Sequence, residues 1–149
     1  MKSELIKWLS ESNVDVFATV SLKQGIKSDD GLWSRLTSEQ VTKTAWLLRD
    51  RVTKAAVGHK KKIPFFAFSE GDGSLKRRHL HIIMKCPPHS NFFDFADLFR
   101  TKAMGLDWVY NEMDIRPIEA ETQRRVIAYS LKEGVDAFIP EASYISSQN

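Results

Sequence analysis

Residues 70–87 read EGDGSLKRRHLHIIMKCP, and their centre is His79-Leu80-His81 followed by Ile82, Ile83 and Met84. Successive side chains of a β-strand point to opposite faces, so His79 and His81 share one face. Leu80, Ile82 and Met84 then share the other, which suits a hydrophobic core. Upstream, Pro64 to Glu70 alternates in the same way, with Phe66, Phe68 and Glu70 on one side and Phe65, Ala67 and Ser69 on the other. Gly71-Asp72-Gly73-Ser74 between the two runs carries hairpin turn chemistry. An antiparallel hairpin would bring Glu70 back beside the histidines. Two imidazoles and a carboxylate on one face form a mixed donor set suited to Mn²⁺ or Mg²⁺.

Other histidine chemistries fit less well. A histidine-triad hydrolase would place a third histidine at position 83, which is Ile83, and His59 and His89 supply no second motif for a two-histidine phosphoesterase. A structural zinc site would want a CxxC pair, and Cys86 is the sole cysteine.

Around this hairpin the chain alternates strand-like and helix-like patterns. Residues 3–12 suggest a short helix with Leu5, Ile6, Trp8 and Leu9 on its apolar side. Val14 to Leu22 alternates, placing Val14, Val16, Ala18, Val20 and Leu22 inward. Gln24 to Ser34, with Gly25, Asp29, Asp30 and Gly31, is expected to be a loop. Thr37-Ser38-Glu39-Gln40 has the form of a capping box, and Val41, Ala45, Leu48 and Val52 follow at helical spacing. Gly58 ends that helix in a basic loop. Pro87-Pro88 stops the histidine strand. Ser90 or Asn91 can cap a helix carrying Phe92, Phe95, Leu98 and Phe99, which Gly105 closes. Trp108 to Arg116 alternates again, up to Pro117. Glu119 to Glu133 is expected to be a final helix ended by Gly134, with residues 135–149 as a loose tail after a core of about 14–134.

The order βαββαβ plus one helix predicts an α+β fold of the ferredoxin-like split βαβ type. It implies four to five antiparallel strands, helices on one face, and a C-terminal tyrosine-bearing helix closing over the face with Glu70, His79 and His81. With 149 residues and 42% hydrophobic content, one domain with a substantial core is expected. No apolar run approaches the roughly 20 residues of a membrane span, and the N-terminus lacks a signal-peptide core. A lone cysteine fits a reducing compartment, so a cytoplasmic location without membrane association is expected. Net charge is only +3, yet basic residues cluster at Lys60, Lys61 and Lys62 and at Lys76, Arg77 and Arg78, a pattern compatible with nucleic acid.

The final helix holds Arg125, Tyr129, Lys132 and Glu133 at spacings of three and four, so these side chains are expected to cluster. Taken alone, YxxK describes an exposed helix face more often than a site. Beside the HLH strand it points to phosphoryl transfer with a phenolate nucleophile, the lysine offsetting charge.

In these motifs the chain resembles the HUH endonucleases, and most closely their single-tyrosine replication initiator (Rep) branch. VFATVSLK (residues 16–23) looks like the first Rep motif, RHLHIIMKCP (78–87) like the metal-binding second, and AYSLKEG (128–134) like the third. The resemblance implies that Tyr129 attacks a DNA phosphate, giving a 5′-phosphotyrosine and a free 3′-hydroxyl. It implies His79, His81 and Glu70 as metal ligands, Glu133 as a further or alternative contact, and Lys132 as the phosphate or metal-site lysine. Single-stranded DNA is the implied substrate. Phe17 and Thr19 of the first motif would contribute to recognition, and Lys60, Lys61, Lys62, Arg77, Arg78 and Arg125 to DNA contacts. Phe17, Phe66 or Trp108 are candidates for base stacking.

The function so implied is metal-dependent nicking and strand transfer that starts rolling-circle replication of a plasmid, phage or related element. The protein would act as a monomer, with any helicase supplied separately. An IS200-like single-tyrosine transposase shares the chemistry. A non-catalytic DNA-binding relic is the rival from another class, and the complete set Glu70, His79, His81, Tyr129 and Lys132 speaks against it.

Overall fold

A computed structural model describes residues 2–71 and 77–144. The described elements are α1 (Lys2–Ser10), β1 (Val16–Leu22), β2 (Gly25–Lys27), β3 (Trp33–Arg35), α2 (Ser38–Val57), β4 (Phe65–Glu70), β5 (His79–Met84), α3 (Phe92–Met104), β6 (Val109–Pro117) and α4 (Gln123–Ser130). The main sheet has the order β4-β5-β1-β6 with every neighbouring pair antiparallel. This is an α+β fold compatible with the ferredoxin-like arrangement expected from the motif order. The sheet has four strands. The expected loop at 24–34 instead folds as a separate hairpin of β2 on β3, whose tight centre is Gly31 at φ +86. No described helix is long and apolar enough to cross a membrane.

Local chemistry accounts for the helices on one face. Thr37 caps α2 reciprocally: its hydroxyl accepts from Gln40 N at 3.2 Å, and Gln40 Oε1 accepts from Thr37 N at 2.9 Å. The stripe Val41, Ala45, Leu48 and Val52 is fully inside. Asn91 caps α3 by accepting from Asp94 N at 3.0 Å, and Phe95, Phe99 and Ala103 turn inward. These side chains meet Val16, Ala18, Val20, Leu22, Phe65, Ala67, Leu80, Ile82 and Met84 from the sheet, as strand alternation predicts.

The opposite face differs from expectation in several ways. It carries a second apolar cluster of Leu9, Val14, Phe66, Phe68, Ile83, Ile118, Ile127 and Leu131. Helix α1 therefore joins α4 there, so the helices do not lie on one face apart from the last. Val14, expected on the core side of β1, precedes the strand and belongs to this second cluster, while Trp8 is turned out, 47% exposed.

The final helix is also shorter than 119–133. A 3-10 turn at Ala120–Thr122 leads into α4, which ends at Ser130. Leu131, fully buried, leaves helical geometry at φ −102 and ψ 14, and Lys132 turns back toward the sheet. Gly134, at φ +112, stands four residues beyond the helix rather than next to it.

The segment after Gly134 is not a loose tail up to Tyr144. Ile139 N donates to Ala67 O at 2.8 Å, while Tyr144 and Phe65 exchange backbone hydrogen bonds of 2.7 Å. Ile139 and Ala142 are buried. The segment covers the outer edge of β4, which would otherwise present unpaired backbone groups. The domain thus extends at least ten residues past the expected core. Of the expected turn at Gly71–Ser74, residues 72–74 lie outside the described residues; Glu70 stands opposite His79, as expected.

Candidate active site

The strand register places the site residues in rows across the sheet. Glu70, His79 and Ser21 form one row; Phe68, His81, Thr19 and Asp114 the next; Phe66, Ile83, Phe17 and Arg116 the third. All face α4. The third row is mostly apolar and lies under the second cluster, and the first two become polar toward the hairpin end. Over that polar end lies an open cleft of about 630 Å³, lined among others by Phe17, Thr19, Glu70, His79, His81, Asp114, Arg116, Tyr129 and Lys132.

A chain of polar contacts runs through it. Tyr129 Oη accepts from Lys132 Nζ at 3.1 Å, and Lys132 Nζ lies 2.6 Å from Glu70 Oε1. Glu70 Oε2 meets His81 Nε2, and His81 Nδ1 lies 3.3 Å from Thr19 Oγ1. The His81 ring stacks on Phe17 at 5.4 Å and meets the edge of Tyr129 at 5.7 Å. Tyr129 remains 49% exposed, so the phenol is anchored at the cleft without being sealed in it.

Burial and hydrogen bonding shift His81 and Lys132 in opposite directions. Desolvation pulls the His81 pKa below its usual value, against the opposing pull of Glu70. A neutral ring that donates from Nε2 to the carboxylate leaves Nδ1 to accept from the Thr19 hydroxyl. Lys132 is pushed the other way. Its hydrogen bond to Glu70, then that to Tyr129, raises its pKa, so the ammonium persists and faces the phenol oxygen.

Glu70, His79 and His81 share one face in adjacent rows, and His79 Nδ1 is buried with no hydrogen-bond partner among the described residues. That orphaned nitrogen and the donor types fit Mn²⁺ or Mg²⁺. Among the described residues, however, no three His, Cys, Asp or Glu side chains are gathered as a ready-made metal cluster. Glu70 is instead engaged by His81 and Lys132. Glu133, the other expected carboxylate, accepts from Gly71 N at 2.9 Å and braces the end of β4.

The expected DNA contacts divide. Phe17 and Thr19 line the cleft. Arg77 lies over the Tyr110 ring, 4.6 Å from its centroid. Arg78 turns to the helix face and donates to Ser38 Oγ at 3.2 Å. Lys60, Lys61 and Lys62 precede β4, at the end away from Glu70 and roughly 17 Å along the strand from it; Lys62 packs over Tyr144 at 4.7 Å. Arg125 is exposed on α4, whereas Thr122, Val126 and Tyr129 are the α4-side residues that line the cleft. The expected clustering of Arg125 with Tyr129 and Lys132 therefore does not occur at the cleft. Phe66 is fully buried and Trp108 packs against the helix-face core, so neither offers a stacking surface in the cleft.

Asp114 and Arg116 are cleft residues that motif reading missed, paired at 2.6 Å. Their alternation on β6 was visible, but only the pairing of β6 with β1 reveals that they flank Thr19 and Phe17. Of the three tyrosines, Tyr129 lines the cleft; Tyr110 and Tyr144 do not. Comparison with protein-family models, curated proteins and solved structures found no match to this chain.

Proposed function

We propose that this protein is a metal-dependent single-stranded DNA nicking and strand-transfer enzyme of the HUH kind, most similar to single-tyrosine replication initiators. The observation that carries the proposal is the continuous contact chain Tyr129–Lys132–Glu70–His81–Thr19 at the floor of an open cleft. A nucleophile, a fixed cation and a buried imidazole–carboxylate pair converge there from three separate elements.

In the proposed reaction the Tyr129 oxygen forms a bond to the scissile phosphorus as the bond from phosphorus to the 3′-oxygen breaks. The phenol proton leaves to solvent in the open cleft and the departing 3′-oxygen takes one up from solvent, so the products are a 5′-phosphotyrosine and a strand with a free 3′-hydroxyl. Lys132 stays charged and stabilises the phenolate form of Tyr129 on the way to attack. Phe17 fixes the plane of the His81 ring, and Thr19 would accept from Nδ1–H once Nε2 is given over to a cation. Glu70, His79 and His81 would hold Mn²⁺ or Mg²⁺, which supplies Lewis-acid polarisation of the phosphate. Reversal of the same exchange, with a 3′-hydroxyl attacking the phosphotyrosine, transfers the strand.

Initiation of replication is favoured over the transposase reading by the lysine of the Tyr-x-x-Lys motif, whose Nζ donates to the Tyr129 oxygen. The test is covalent capture of a randomised single-stranded DNA pool with Mn²⁺. Wild type, Tyr110→Phe and Tyr144→Phe should form adducts, while Tyr129→Phe should form none and still bind DNA. Adducts that survive in Tyr129→Phe would remove the proposed nucleophile.

A further inference from the structure

We infer that Tyr110 and Arg77 form a subsite for one unpaired base and its phosphate at the rim of the cleft, an inference that rests on the single-stranded DNA reading above. The first observation is a break in the β1–β6 ladder. Val20 pairs with Met113 and Leu22 with Val109, so residues 110–112 stand opposite Ser21 alone. Bulges of this kind bend a strand and re-aim its side chains, and they concentrate beside active sites. Here the bulge sits next to the row that contains His79 and Glu70, because Ser21 is the β1 partner of His79.

The second observation is what the bulge displays. Tyr110 is 39% exposed on β6, the edge strand of the main sheet. Its ring lies under the Arg77 guanidinium, whose carbon is 4.6 Å from the ring centroid. Arg77 stands two residues before His79, roughly 7 Å along the chain, and the β1–β5 ladder still continues through a Leu22 N to Arg78 O hydrogen bond of 3.1 Å. An aromatic face paired with a guanidinium is the combination that holds single strands: the ring stacks on any base, and the cation meets the backbone. The guanidinium is already held against the ring, so less ordering is needed on binding. The subsite would keep the strand unpaired as it enters the cleft toward Tyr129.

Binding of a twelve-nucleotide thymidine strand carrying one 2-aminopurine, moved position by position, tests this. Wild type should quench the fluorescent base most strongly at one position. Tyr110→Ala should lose that quenching and weaken binding about tenfold, within the range of one lost base stack. Tyr110→Phe should restore both. An abasic sugar at the same position should weaken wild-type binding equally but cost Tyr110→Ala nothing further. Phe93→Ala, which removes the most exposed aromatic in a different part of the fold, should bind like wild type. If Tyr110→Ala binds within twofold of wild type, or is not coupled to any one base, the subsite is wrong while the nicking proposal stands. If wild type binds no single-stranded DNA, both are wrong.

Discussion

The two faces of the central sheet are built from the same four strands yet serve different ends. On the α2–α3 face every inward position of β1, β4 and β5 that enters the cluster is apolar and essentially inaccessible. The α1–α4 face begins in the same manner, with Phe66, Phe68 and Ile83 fully buried. It then changes over two rows into Glu70, His79, His81 and Thr19. Burial of Glu70 and His81 to 5% and 3% exposure is tolerable because each answers the other. One face thus provides the stability against which the other can hold polar groups in a water-poor setting.

The largest expected effect tests the stabilising face. Phe99→Ala removes a fully buried ring from α3 and should destabilise by about 3–5 kcal/mol, seen in urea unfolding. A loss under 1 kcal/mol would mean that this face does not dominate stability. On the other face, Glu70→Ala should weaken Mn²⁺ binding by roughly 100-fold or more, at or beyond what supporting residues of metal sites cost. Glu133→Ala should weaken it far less, because the structure directs that carboxylate to Gly71. Calorimetric titration that ranked the two in the reverse order would make Glu133 the principal ligand.

A smaller effect is expected at the covered β4 edge. Burial raises the Tyr144 pKa above its ordinary value of 10.0. Its stabilising contribution is therefore complete below pH 10 and is lost as pH rises from there through the folded value. Melting temperature should consequently fall more steeply above pH 10 in wild type than in Tyr144→Phe; parallel curves would mean that the phenol is not buried there. Smallest of all, Lys60, Lys61 and Lys62 changed together to Ala should alter cleavage rates at saturating DNA by less than about twofold, because roughly 17 Å of strand separates them from Glu70. A tenfold loss would place the DNA path along that edge.

The sites most legible in the sequence were those with a local signal. Thr37 and Gln40 announce a helix start because both capping bonds lie within three residues. His79 and His81 share a face because strand alternation has a period of two. The end of α4 was misjudged because Leu131 leaves the helix to satisfy packing beneath it, a demand invisible in the helical spacing of 119–133. Residues 135–144 were unreadable for a related reason: their hydrogen bonds to the sheet go to Phe65 and Ala67, more than seventy residues away.

From its own pattern, then, the chain determined the βαββαβ order of the main elements and which side chains share each strand face. These depend on spacing along a regular backbone. Tertiary structure alone decided that Lys132 reaches Glu70, that Asp114 and Arg116 border the cleft, and that Arg125 and the Lys60 cluster do not. It also set the β6 bulge at Tyr110. Each of those outcomes depends on which strand pairs with which and in what register, and on where a helix must stop to bury a side chain. Such choices are settled by non-local packing, which no window of neighbouring residues encodes.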